Sequence, residues 1–141
     1  MKHADLTERI IAAFYRVHNT LGWGFLEKVY HNALLHELGK RGLPVETKKR
    51  YDVFYDRVLV GEYFADVVVE GLVILELKSV EQLATAHEAQ LLNYLKASGV
   101  QVGLLLNFGP KPQLRRKAYD HGQPGPDEPS PECDAADEFF Q

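Results

Sequence analysis

Residues 58–78 read VLVGEYFADVVVEGLVILELK, and this stretch decides the fold. Two apolar, β-branched runs, 58–69 and 72–78, flank Glu70-Gly71, the pattern of two antiparallel strands and their turn. Three charges sit inside them. Asp66 interrupts Phe64-Ala65-Asp66-Val67-Val68-Val69, and Glu76 and Lys78 interrupt Val73-Ile74-Leu75-Glu76-Leu77-Lys78. Unpaired charges in a β core are costly, so charges placed there need partners or a purpose. Side chains alternate along a strand, so Glu76 and Lys78 leave the same face. A three-residue or bulged loop sets Asp66 across from Glu76 on that face, whereas a strict two-residue loop separates them.

Working outward, Tyr51-Asp52-Val53-Phe54-Tyr55 alternates as a further strand, closed by a tight turn at Asp56-Arg57. Before it, Leu6, Ile10, Ala13, Phe14, Val17 and Leu21 recur at helical spacing over 6–20. Asp5 is the expected cap, with Glu8 at the capping-box position. Gly22-Trp23-Gly24 stops this helix, and a second is expected over 25–39, ended by Gly39 or Gly42 with Pro44 behind. After the central strands, helical spacing returns over 82–97 and stops at Gly99, and 100–106 reads as a buried strand. The order is helix, helix, three strands, helix, strand: α/β, with helices covering a small mixed sheet. Residues 111–119 (KPQLRRKAY) form a basic segment, with a short helix as the expected form.

Two carboxylates and a lysine converging at one strand end suit a hard divalent cation, which takes one or two carboxylates plus waters and substrate phosphate. Such an ion polarises a phosphoryl oxygen and supplies hydroxide, while the ammonium orients or deprotonates the water. That outlines phosphodiester hydrolysis. Acid-x-Lys alone is unspecific: twenty acids and nine lysines give roughly one by chance. Glu46-Thr47-Lys48 is such a decoy, read as part of a polar connection. The set Asp66…Glu76-Leu77-Lys78 differs because it lies in an apolar hairpin. On the next helix Gln90 and Tyr94 stand i and i+4, beside His87, and offer an amide and a phenol to a substrate backbone or a metal-bound water.

Gly24-Phe25-Leu26-Glu27-Lys28-Val29-Tyr30 resembles the Gly-x-x-Glu-x-x-Tyr signature of the GxxExxY proteins, a RecB-like branch of the PD-(D/E)XK nuclease superfamily. The resemblance spans about 5–109, including Val17-His18, Leu21-Gly22 and the late Gln-x-x-x-Tyr. It implies a restriction-endonuclease-like αβββαβ core and a Mg²⁺- or Mn²⁺-dependent deoxyribonuclease. By the same resemblance Asp66, Glu76 and Glu27 hold the metal, Lys78 is the catalytic lysine, and Gln90 and Tyr94 complete the catalytic set. Phe64-Ala65 stands in place of the proline that names the superfamily, which many members lack, and Trp23 stands where this family is expected to have another proline. The four-cysteine cluster of some RecB-like nucleases is absent, so no iron–sulfur cluster is implied. The alternative is a catalytically silent nuclease-fold module that binds nucleic acid or a protein partner. No sequence-reading module is visible, which makes a homodimer or a partner subunit an expectation.

Charge and composition set bounds. The 141 residues are 45% hydrophobic and 26% charged, as in ordinary globular chains, with a net charge of −4. That sum is uneven: Asp127, Glu128, Glu132, Asp134, Asp137 and Glu138 give the end of the chain −6, leaving a body of +2 over 1–126. A nuclease-like domain is expected over 1–120, followed by a Gly/Pro-rich linker and acidic tail over 121–141. No apolar run reaches membrane length, no secretory leader is visible, and one cysteine, Cys133, forms no internal disulfide. A cytoplasmic protein with no membrane partner is expected. Lys40-Arg41, Lys48-Lys49-Arg50, and Lys111 with Arg115-Arg116-Lys117 are candidates for tracking a DNA backbone. Among the histidines, His31 and His36 are read as solvated helix positions, while His18 and His87 either face the site or cap a helix.

Overall fold

The computed structural model describes residues 2–121; all of the expected linker and acidic tail except His121 lies outside the described residues. Its elements are α1 (Ala4–Leu21), α2 (Glu27–Lys40), β1 (Val45–Tyr55), β2 (Val58–Val69), β3 (Val73–Lys78), α3 (Thr85–Ser98), β4 (Val102–Phe108) and β5 (Pro112–Ala118). The strands form one sheet in the order β1-β2-β3-β4-β5. All pairs are antiparallel except β3–β4, which runs parallel because α3 crosses between them. The class is α/β, a mixed sheet flanked by helices and consistent with a restriction-endonuclease-like fold.

Each face of the sheet has its own core. On one, Ile10, Phe14 and Leu34 of α1 and α2 pack on Val67, Leu75, Leu104 and Leu106. On the other, Leu91 and Leu95 of α3 cover Ala65, Val68, Ile74 and Leu105. β4 is buried along its whole length, as its unbroken apolar run requires of a strand covered on both sides. Among the described residues no helix is long and apolar enough to cross a membrane.

Four local expectations need correction. The α1 N-cap is His3, in left-handed conformation and without a side-chain cap bond; Asp5 lies in the first turn, where its charge favours the helix dipole. β1 begins at Val45, so Glu46-Thr47-Lys48 is strand rather than connection, paired to β2. Residues 112–118 are an edge strand and not a helix. Its charged side chains suit an edge, which must repel further strands, but consecutive bases carry no readable period. His18 does not cap α1 through its side chain: it is buried, and its Nε2 meets the Gly109 carbonyl at 2.8 Å.

The α3–β4 contact is close because residue 103 has no side chain. A Cβ added to Gly103 would lie 2.8 Å from Leu91 Cδ1 and 3.2 Å from Leu95 Cδ2. Gly103→Val should therefore push α3 outward and destabilise the fold by about 1–3 kcal/mol in denaturant unfolding. A stability equal to that of the parent chain would show that the two leucines rearrange freely.

Candidate active site

The hairpin between β2 and β3 sets the register. Val69 pairs with Val73, leaving a three-residue loop, Glu70-Gly71-Leu72, in which Glu70 and Gly71 take φ of 54° and 69°. Leu72 N–H closes the turn on the Val69 carbonyl at 2.9 Å. The pairs run on through Val68–Ile74 to Val67–Leu75, one step short of Asp66 and Glu76. There the ladder ends. β2 swings away, and the Asp66 Oδ2 takes the place of a strand carbonyl by accepting the Leu77 N–H at 2.9 Å.

The swing shows in the side-chain pattern. Val67 and Val69 face the α1–α2 core, yet Ala65 and Val68 both face α3, so the alternation slips at Asp66. On β1 the residue opposite is Lys48, which stands at φ 52° between the regular pairs Thr47–Val67 and Lys49–Ala65. Left-handed backbone in a non-glycine residue is strained, and strain of this kind collects where a chain re-aims a side chain.

Glu76 lies beyond this kink and is largely enclosed. Burial, the Asp66 charge and a hydrogen bond to the Asp66 carboxyl push its carboxyl up to about 8. Among the described residues its Oε1 is buried with no hydrogen-bond partner. Lys78, two residues on and half-buried, opposes these effects on Glu76. Glu27 opens α2 and remains in contact with solvent. Partial burial and Asp66 raise its carboxyl, while Lys78 and His31 hold it down. The four charges expected to act together are thus coupled across three elements.

Their supports are visible too. Tyr30, the last residue of the Gly-x-x-Glu-x-x-Tyr run, is fully buried and stacks on Phe108 at 4.6 Å. Its hydroxyl donates to the Gly22 carbonyl and accepts the Phe25 N–H, fixing the loop that delivers Glu27. Buried Asn107 grips the loop after Lys78, accepting Val80 N–H and donating to Val80 O, both at 2.9 Å. On α3, Gln90 hydrogen-bonds the Tyr94 phenol, which burial and the Glu76 and Asp66 charges keep protonated.

Two site neighbours escaped the sequence reading. His31, expected in solvent, is half-buried, with Nε2 3.3 Å from the Asp66 carbonyl oxygen. Its position four residues after Glu27 was the available signal. Tyr63 is coupled to Glu76 and stacked on Tyr94 at 3.8 Å, and its phenol is raised chiefly by burial. The slip at Asp66 hid it. His87, in contrast, caps α3, accepting the Ala84 N–H at 3.1 Å. Several expected DNA-tracking bases are already engaged: Arg50 with Asp52 and Glu62, Lys49 with Glu46, Arg41 with Glu37, and Arg115 and Lys117 with Glu88.

Among the described residues no three His, Cys, Asp or Glu side chains form a ready metal cage. A hard cation still fits the donor set: it needs only one or two carboxylates, and the orphaned Glu76 Oε1 beside Asp66 lacks a partner.

A mixed α/β sheet with this hairpin of acids defines a nuclease-like class. Residues 4–117 match the PD-(D/E)XK nuclease superfamily, and the chain belongs to it. The superfamily's members are usually nucleases and generally use divalent metals. Among solved structures it is similar to the crystal structure of SSO0001, with a TM-score of 0.52 and 18% identity. The likeness covers 81% of this chain and 57% of that one, so the chain spans little more than half of that protein's length. No curated protein matches it.

The raised Glu76 carboxyl has a consequence for stability. The folded chain keeps a proton up to about pH 8 that the unfolded chain releases near its ordinary 4.5. The stability linked to it is complete below the lower value and lost as pH rises through the higher. Glu76→Gln should therefore stabilise the metal-free protein at about pH 9 by a few kcal/mol, at ~1.4 kcal/mol per pKa unit, and change little at about pH 4. Thermal unfolding in chelator at both pH values checks this; equal effects at both would contradict the enclosed carboxyl.

Proposed function

We propose that the chain is a Mg²⁺- or Mn²⁺-dependent deoxyribonuclease, of the GxxExxY type in the RecB-like branch, hydrolysing DNA phosphodiester bonds. The observation that carries this reading is the junction of Asp66, Glu76 and Lys78, with Glu27 beside them, at the point where β2 leaves β3. Asp66, Glu76 and Glu27 would hold the ion. When bound, it supplies Lewis-acid polarisation of the phosphoryl group and a more acidic water. The protein residues do the rest. Lys78 orients the attacking water and stabilises charge gathering on the phosphate. Tyr94, kept as a neutral phenol, remains a hydrogen-bond donor toward a phosphate oxygen, and Gln90 holds its hydroxyl in place. Water adds to phosphorus as one P–O ester bond breaks, leaving a phosphate monoester and a hydroxyl.

The Tyr30 and Asn107 tethers favour this reading because loops fixed by hydrogen bonds beside the charges suit catalysis more than loose binding. A second copy or a partner subunit is proposed as the source of target choice.

Purified protein should cut labelled DNA with Mg²⁺ or Mn²⁺ and stop in chelator. Lys78→Ala and Glu76→Ala should each lower the rate by about 100-fold or more. Mn²⁺ binding by calorimetry should weaken in Asp66→Ala. Cleavage that survives both alanine substitutions would overturn the assignment. Mn²⁺-independent DNA binding without cleavage would favour the silent module.

A further inference from the structure

The β1–β2 hairpin carries an apolar surface that the sheet does not use. Its turn, Asp56-Arg57, has both residues left-handed, at φ 52° and 64°, as a tight two-residue hairpin turn requires. Around that turn Tyr55 is 75% exposed, Phe54 61% and Val58 59%. Between the hairpin and α3 lies a cavity of about 800 Å³, lined by Phe54, Tyr55, Gly61, Tyr63, Asn93 and Tyr94.

We propose that this cleft is a nucleobase-binding subsite, which takes unstacked bases of the DNA strand whose phosphate lies at Asp66 and Glu76. The choice of DNA rests on the nuclease reading; the choice of unpaired bases rests on the cleft. Tyr94 belongs to both places, lining the cleft while the Glu76 and Asp66 charges act on its phenol. Tyr51, Tyr63 and Tyr94 form a continuous stack, with centroids 5.5 Å and 3.8 Å apart, of which Tyr63 and Tyr94 line the cleft. The acids of the lining, Asp52 and Glu62, are both held by Arg50, at 2.8 Å and 2.6 Å, so their charge is met within the protein.

The cleft's size suits a compact group such as one or a few nucleotides rather than a protein face. Exposed aromatic faces beside a phosphate-handling site match how proteins hold single strands, by stacking every base alike. Bases in an intact duplex are already stacked on one another. The cleft therefore selects a single strand, an overhang or a locally opened duplex.

Gly61 allows a direct test, because a Cβ there meets nothing within 4 Å and its φ is not left-handed. Gly61 lines the cleft, so a larger side chain starts there in open space and takes up room a base would need. The probes are a fluorescent oligothymidylate of about twelve nucleotides, the same length of abasic strand, and a blunt duplex, bound in chelator and read by anisotropy. Without metal, no cleavage confuses the reading. The oligothymidylate should bind about tenfold or more tightly than the abasic strand. Gly61→Leu and, separately, Tyr55→Ala should erase that preference while the folded spectrum is kept.

Equal binding of thymidylate and abasic strands, preference for the blunt duplex, or a preference untouched by both substitutions would overturn the subsite. So would a dimer seen in sedimentation that Gly61→Leu dissociates, since a second copy would then fill the cleft. The nuclease reading fails separately: base-selective binding without metal-dependent cleavage sinks the activity and keeps the cleft. Cleavage without base selectivity does the reverse.

Discussion

Leu77 donates its backbone N–H to the Asp66 carboxylate at 2.9 Å, and the layout of the site depends on that bond. A strand amide left without a partner inside a sheet is costly. Where β2 departs, one carboxylate oxygen substitutes for the missing carbonyl and wedges the two strands apart. Asp66 thereby loses its freedom to turn away from Glu76. Crowding and enclosure then force a proton onto Glu76, which repels Asp66 less in that state. The strained Lys48 backbone on β1 is the counterpart of the same kink, one strand further out.

Around that wedge, long-range side-chain-to-backbone bonds hold the loops that present the charges. Tyr30 secures the turn before Glu27, His18 binds the Gly109 carbonyl, and Asn107 clasps both polar groups of Val80. Each satisfies backbone groups that irregular loops would otherwise leave unpaired. Removing one loses a bond and also leaves its partner buried and unmet. The Tyr of the Gly-x-x-Glu-x-x-Tyr run is in this sense a structural residue that serves the Glu.

The electrostatics separate into two zones. Near the wedge Glu27, Asp66 and Glu76 face Lys78 and His31, in part out of solvent. On the surface most of the basic runs are tied to neighbouring acids, with Glu88 alone engaging Arg115 and Lys117. Such exposed pairs are weak and exchange readily, so a phosphate can compete for them. Binding strength therefore depends on more than a count of bases, which makes the aromatic surface at the hairpin more relevant to a nucleic-acid partner.

Much of the architecture was legible because local patterns carry it. Helical spacing placed α1, α2 and α3, apolar runs placed β2, β3 and β4, and charges inside apolar strands marked Asp66, Glu76 and Lys78. β5 was misread because three successive bases obey no period, and an edge strand needs little apolar pattern. His31, Tyr63 and Asn107 were missed because their partners lie 35, 31 and 27 residues away. The sequence by itself determined which residues could form strands, helices and a charged hairpin, since those depend on neighbours within a few positions. Only the tertiary structure decided that the hairpin loop has three residues, that the pleat slips at Asp66, and that Glu27 and Tyr94 come within electrostatic reach of the carboxylates. The physical reason is that register, burial and shared protons are properties of contacts between elements, which no single stretch of chain encodes.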